Sequence, residues 1–243
     1  LGMGIPIIAA ERNSPSRFNY TKEGKFRQIR FLTFLLAEKV ILQCESYIKK
    51  YPFYLKNKIK IIPNPVFPIS NKKQSIYNKR KIILSVGRLA YQKNYTVLIK
   101  AFSKLSSQYP DWDLVIVGDG GDQEKLQKLA SSLSVSNHVV FEGYQKNTDR
   151  YYQSSDIFCL SSLWEGFPNA LAEAMSYGLP CVGFEKCDGV YDLMDHHQNG
   201  ILAKGNDDPK TLAAALESLM ASPEKRKAYG EAGQRITRDY APD

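Results

Sequence analysis

The sequence predicts an α/β protein built around a doubly wound parallel sheet, and three features carry that expectation. From Lys81 onward, short apolar runs rich in β-branched residues alternate with segments of helical period. Runs this continuous belong to parallel strands covered by helices on both faces. The first 65 residues repeat the alternation as βαβαβ, and the stretch 66–80, with Pro68 and many Lys and Asn, reads as a linker between two units.

In chain order, strands are expected at 6–10, 39–43 and 58–62, with helices at 25–37 and 45–55. Three strands make a poor sheet alone, so residues 1–65 read as the trailing part of an incomplete domain. The second unit, 81–243, begins with a strand at 81–87 (KIILSVG) and a helix at 95–109 that stops before Pro110. Strands follow at 113–118, 138–143, 157–162, 180–184 and 200–203. The intervening helices fall at 123–133, 149–155, 168–177 and 191–195, and two more at 209–221 and 223–240 close the chain. A ligand of such a sheet lies outside the carboxyl ends of its strands.

Composition removes several function classes. The chain is 43% hydrophobic and 24% charged, which is ordinary globular usage. No apolar run approaches the roughly 18–20 residues that cross a bilayer, and no signal peptide is visible. The four cysteines, Cys44, Cys159, Cys181 and Cys187, form no CxxC and suit buried reduced thiols in a cytoplasmic protein. Net charge is +8, unevenly shared: residues 1–80 hold 16 Lys and Arg against 4 Asp and Glu, while residues 81–243 are net acidic. The basic part shows no nucleic-acid motif. Arg12, Arg17, Lys22, Lys25, Arg27 and Arg30 surround an apolar stretch, which suits either an anionic membrane surface or a solvated helix face.

The chemistry-bearing residues sit where strands end. After the strand ending at Gly87 come Arg88 and Lys93, suited to phosphate oxygens or to a solvated loop. After Gly118 comes Asp119-Gly120-Gly121-Asp122, which lacks GxGxxG spacing and argues against a nicotinamide cofactor. The richest segment is Ser161-Ser162-Leu163-Trp164-Glu165-Gly166-Phe167-Pro168-Asn169-Ala170-Leu171-Ala172-Glu173. It is a strand end, a loop and a helix whose first amides, from Asn169, would suit an anion. Glu165 and Glu173 are acceptors only, so they match a hydroxyl-rich ligand such as sugar or ribose; their alternative is a capping acid and a solvated acid. Trp164 would pack on a sugar face or fill the core. His196-His197 reads as solvated, with no partners to complete a metal site.

Taken together, SVGRLAYQKN, VGDGGDQEKL, FEGY, SSDIFCLSSLWEGFPNALAEAMSYGLPCV and NGILAKGND resemble, in order and spacing, the retaining GT-B glycosyltransferases of family 4. KIKIIPNPV resembles that family's last N-domain strand, and IIAAERNSP its members that build bacterial surface polysaccharides. The resemblance implies a Rossmann-like N-terminal unit on the acceptor side and a donor-binding unit over 81–243. It implies a donor site of Gly87, Arg88, Lys93, Gly118, Gly143, Tyr144, Glu165, Gly166, Phe167, Pro168, Asn169, Ala170 and Glu173. Arg88 and Lys93 would stabilise the departing diphosphate. Glu165 would hold the donor sugar, Glu173 the ribose, and the backbone at 166–169 would contact phosphate and sugar. Gly143 and Tyr144 would border the base, and Cys187-Asp188-Gly189 would line the pocket.

The implied reaction moves a hexose or N-acetylhexosamine from a nucleotide sugar, a UDP-sugar foremost, to a saccharide or lipid-linked acceptor with retention. No cofactor and no metal are implied. Two departures stand out: the family's glycine-rich acceptor loop falls in strands this sequence lacks, and Glu11-Arg12 stand where a histidine is usual. The resemblance therefore implies nucleotide binding without turnover by these residues alone. A nucleotide-sugar epimerase of the same architecture and a non-catalytic sugar-nucleotide binding module are the alternatives.

Overall fold

The computed structural model describes residues 5–20, 27–68 and 80–242. Two parallel sheets are present. The smaller has the order β1 (Ile8–Glu11), β2 (Lys39–Leu42), β3 (Ile59–Ile61). The larger runs β6 (Val139–Gly143), β5 (Trp112–Val117), β4 (Lys81–Val86), β7 (Ile157–Leu160), β8 (Cys181–Phe184), β9 (Gly200–Ala203). All its pairings are parallel. Its helices are α2 (Tyr95–Ser103), α3 (Gln123–Ser132), α4 (Asp149–Ser154), α5 (Asn169–Ser176), α6 (Val190–Leu193), α7 (Pro209–Met220), α8 (Pro223–Gly233) and α9 (Ile236–Asp239); α1 (Arg27–Thr33) belongs to the smaller unit.

Each strand forms where the apolar run predicts it. All six residues of β5 are buried, as are all four of β7 and of β8. A strand buried on both faces has no use for polar alternation, which is why these read as continuous runs. Helices α7 and α8 start at Asp208-Pro209 and Ser222-Pro223, where the Asp208 and Ser222 side chains accept from backbone amides and proline occupies the first turn.

Three helix expectations need correction. Residues 45–55 are not one helix but two 3-10 segments, Glu45–Lys50 and Phe53–Lys58. Pro52 holds Tyr51 extended (φ −99°, ψ 146°), because the ring of a proline disfavours the helical region for the residue before it. The described end of the 25–37 helix is α1 followed by a 3-10 turn, Phe34–Leu36. The last helix divides into α8 and α9 just past Gly230 and Gly233, residues of low helix propensity.

The strand order places the site. From β4 the chain winds outward through β5 and β6, then returns to β7 and winds the other way through β8 and β9. The switch between β4 and β7 opens a crevice at their carboxyl ends, where ligands of such sheets bind. The loop after β4 carries Arg88 and Lys93, and the loop after β7 carries Glu165.

Candidate functional site

The two loops are stitched together. Leu163 N–H donates to the Gln92 carbonyl (2.8 Å), Gln92 Nε2 donates to the Trp164 carbonyl (2.8 Å), and Ser161 Oγ donates to the Lys93 carbonyl (2.7 Å). Lys93 Nζ reaches Glu165 Oε1 at 2.7 Å, and Ser162 Oγ donates to the same oxygen at 2.5 Å. The Lys93 stem runs over Gly87: a Cβ there would lie 2.9 Å from Lys93 Cε, so any larger residue displaces the lysine. Glu165 is 6% exposed, and burial of a carboxylate at this depth requires the cation beside it. Lys93, expected to bind a diphosphate, is paired here with Glu165. Arg88 is exposed, with no side-chain partner among the described residues.

Glu173, on α5, is exposed, but its Oε2 accepts from the buried Tyr152 hydroxyl (2.7 Å). Burial of that end raises its pKa, the charge of Asp149 adds to the rise, and the Tyr152 hydrogen bond opposes it. Tyr152 itself is pushed well above the ordinary tyrosine value by burial and by Glu173, so it remains a donor. Gly118 ends β5 against the Gly87 carbonyl. Gly143 (φ +68°) ends β6 with open space beside it, followed by Tyr144 at 71% exposure.

Several expected contacts take other roles. The Asn169 amide was expected to face an anion, but it donates to the Phe167 carbonyl (2.9 Å). The next amides, of Leu171 and Ala172, both donate to the Pro168 carbonyl (2.9 and 3.0 Å). Proline at 168 bends the entry so that the first turn closes on itself, leaving Ala170 N–H without a backbone partner among the described residues. The Asn169 side chain accepts from Asn64 Nδ2 (2.7 Å). Phe167 is buried and meets Tyr240 edge-on with ring centroids 5.6 Å apart, and its other side lines a cavity shared with Val66, Asn169, Ala172 and Glu173. Gly166 lies under the Arg12 carbonyl, which a Cβ at 166 would meet at 2.2 Å.

Asp188 was expected to line the donor pocket. It is instead a buried tie to the smaller unit, paired with Lys50 and accepting from Ser14 Oγ. Burial favours its neutral form, but Lys50 and the hydroxyls of Ser14 and Ser16 outweigh that and hold the carboxyl below its ordinary value. Asp192 repeats the pattern, accepting from Ser46 N–H (3.0 Å) and Ser46 Oγ (2.6 Å). Trp164 fills space between aromatic rings, stacked on Tyr20 at 4.9 Å, and its Nε1 has no hydrogen-bond partner among the described residues. His196 and His197 are exposed, and all four cysteines are buried and unpaired.

Sequence reading missed four participants. Ser162 was findable, since Ser at three residues before Glu165 is within reach of its carboxylate. Tyr152 lies 21 residues from Glu173, Tyr47 lies 118 from Glu165, and Lys50 lies 138 from Asp188; no local pattern announces them. Of the basic cluster, Lys22 and Lys25 and the side chains of Arg27 and Arg30 lie outside the described residues. Among the described residues no helix is long and apolar enough to cross a membrane.

The chain is similar to known proteins over nearly its whole length. An uncharacterized glycosyltransferase of Haemophilus influenzae is 34% identical over 227 residues, which is 92% of this chain and 63% of that protein. A Campylobacter jejuni α-1,4-N-acetyl-D-galactosaminyltransferase acting on GalNAc-α-(1→4)-GalNAc-α-(1→3)-diNAcBac-PP-undecaprenol is 26% identical over 242 residues, 99% of this chain and 66% of that protein. The chain therefore spans less than two thirds of those relatives' length. Among solved structures, Anabaena Alr3699/HepE in complex with UDP and glucose superposes with a TM-score of 0.83 at 21% identity, covering 97% of this chain and 67% of the other. The pneumococcal O-GlcNAc transferase GtfA in complex with UDP and GlcNAc gives 0.79 at 20% identity, covering 97% and 49%. These likenesses show the GT-B architecture. The family model for glycosyl transferases group 1 matches residues 66–236, the span that holds both crevice loops, and the chain belongs to that family.

Proposed function

We propose that the crevice between β4 and β7 binds a nucleotide sugar, with UDP as the nucleotide. In this reading the protein moves a hexose or N-acetylhexosamine to a saccharide or lipid-linked saccharide acceptor with retention, in the building of a bacterial surface glycan. The carrying observation is the charge arrangement at the switch point. A guanidinium without a side-chain partner among the described residues (Arg88) and an ammonium (Lys93) stand beside a buried carboxylate (Glu165), while a second carboxylate (Glu173) is presented at the surface. Cations offset a diphosphate, and carboxylates accept from hydroxyls.

The roles follow from position. Arg88 and Lys93 bind the diphosphate and stabilise charge on the departing nucleotide, so the reading invokes no metal and no cofactor. Entry of the diphosphate draws Lys93 into a position shared between Glu165 and phosphate. Glu173 accepts from the ribose, Glu165 from the sugar, and Gly143 and Tyr144 border the base. Gly87 and Gly118 keep the crevice floor low, and Gly166, Phe167, Pro168, Asn169 and Ala170 shape the wall that carries Glu165.

The similar proteins whose structures hold UDP, and the relatives that act on undecaprenol-linked sugars, support this choice of donor and acceptor. The exposed apolar side chains of α1 and the following turn, Ile29, Leu32 and Leu36, and the basic residues near them in the sequence support docking of the protein on the inner, anionic face of a membrane.

Calorimetric titration with UDP, GDP and ADP without added metal tests the reading. UDP is expected to bind in preference, and Lys93→Ala to weaken it by about 10- to 150-fold, the loss of a charge-assisted contact of roughly 1.5–3 kcal/mol. Unchanged UDP affinity in Lys93→Ala would remove the diphosphate from this crevice.

A further inference from the structure

We propose that Tyr47, contributed by the smaller unit, is a positioning residue for Glu165 and sets whether that carboxylate can read the donor sugar. The inference rests on the reading above, in which Glu165 holds the sugar.

Tyr47 lies in the 3-10 segment after β2 and is 1% exposed. Its hydroxyl is 2.6 Å from the Glu165 carbonyl and 2.5 Å from the Gly166 carbonyl. A phenol has one proton to donate, so these consecutive carbonyls share it, with Cys44 Sγ a weaker donor to Gly166 (3.4 Å). Two adjacent carbonyls turned to the same point repel each other, and a common donor is what holds the backbone in that form. Burial, with the charge of Asp188 behind it, drives the Tyr47 pKa far up, so the proton stays on the hydroxyl.

The side-chain end of Glu165 is fixed on one oxygen only. Lys93 Nζ and Ser162 Oγ both reach Oε1, while Oε2 has no hydrogen-bond partner among the described residues. Backbone held by Tyr47 and Oε1 held by Lys93 and Ser162 together aim Oε2 in a single direction, as recognition of one hydroxyl requires. Space around the hydroxyl is tight: a Cβ on Gly189 would come within 2.6 Å of the Gly166 carbonyl oxygen and 2.9 Å of the Tyr47 oxygen. Losing the hydroxyl leaves the Glu165 carbonyl without a donor among the described residues and the Gly166 carbonyl with only the weak Cys44 thiol, and the loop turns to satisfy them.

The test is Tyr47→Phe in the whole chain, titrated with UDP, UDP-glucose and UDP-N-acetylglucosamine, with a thermal melt alongside. UDP affinity is expected to stay within about twofold, while the extra affinity given by the sugar falls by about tenfold. An equal loss for UDP and UDP-sugar would make Tyr47 a packing residue and overturn the proposal. A sugar increment retained in Tyr47→Phe overturns it too, with the function reading intact. No sugar increment in the unaltered chain removes both. Should Tyr47→Phe not fold, 4-aminophenylalanine at position 47 keeps the ring and an N–H donor; retention of the sugar increment supports the proposal and its loss overturns it.

Discussion

In the larger sheet β5, β7 and β8 bury every residue, whereas β1 of the smaller sheet buries none of its four and leaves two exposed. Large exposed apolar side chains divide the same way. Eleven of the thirteen among the described residues lie between Ile5 and Phe67, and only Tyr91 and Tyr144 lie beyond. The larger unit closes its own core with its own helices. The smaller one takes much of its order from contacts that cross over: Tyr47 to the Glu165 loop, Ser14 and Lys50 to Asp188, Ser46 to Asp192, and Tyr20 onto Trp164. One unit carries the candidate chemistry, and the other holds its loop in shape.

The largest expected effect lies in the self-contained core. Trp112→Ala, at a fully buried ring on β5, should cost about 3–5 kcal/mol by denaturant unfolding. A loss below about 1 kcal/mol would mean that the larger sheet is not the main source of stability.

The middle effect falls on the tie between the units. Asp188→Asn should cost about 1.5–3 kcal/mol, since it weakens charge-assisted hydrogen bonds to Lys50 and Ser14. Because the Asp188 carboxyl is held below its ordinary value, its contribution is present above the unfolded pKa of about 3.9. It is lost as pH falls through the lower folded value. The substitution should flatten that acid limb of a stability profile and expose residues 5–62 to limited proteolysis before the larger sheet. Simultaneous cleavage of both would show one cooperative unit and erase the contrast drawn above.

The smallest effect belongs to the surface. Phe53, 83% exposed, should change stability by no more than about 0.5 kcal/mol on conversion to Ser. The same change should reduce retention on anionic vesicles if the outward apolar residues of the smaller unit meet lipid. Undiminished retention would place the membrane contact elsewhere, and no retention of the unaltered chain would remove it.

Much of this was legible beforehand for a definite reason. A strand buried on both faces must be apolar at every position, so β4, β5 and β7 stand out in one dimension. Arg88, Lys93 and Glu165 were singled out because they follow strand ends, and the structure places them in the loops after β4 and β7. The break at Pro52 was not read, since the helix expected at 45–55 ran through it, although proline's effect on the residue before it could have signalled it. The fate of the Asn169 amide was not legible, because whether a helix's first amide faces outward depends on the turn that Pro168 makes.

Sequence alone thus determined the α/β class, the larger sheet's strands and the placing of Arg88, Lys93 and Glu165 after their ends, because each is encoded in local period and spacing. Only the tertiary structure decided that Lys93 is paired with Glu165, that Asp188 ties the two units together, and that Tyr47 grips the Glu165 loop. Those are contacts between residues 72, 138 and 118 positions apart. Chain closure over such distances leaves no periodic trace: the partners are chosen by which loops the two sheets bring face to face.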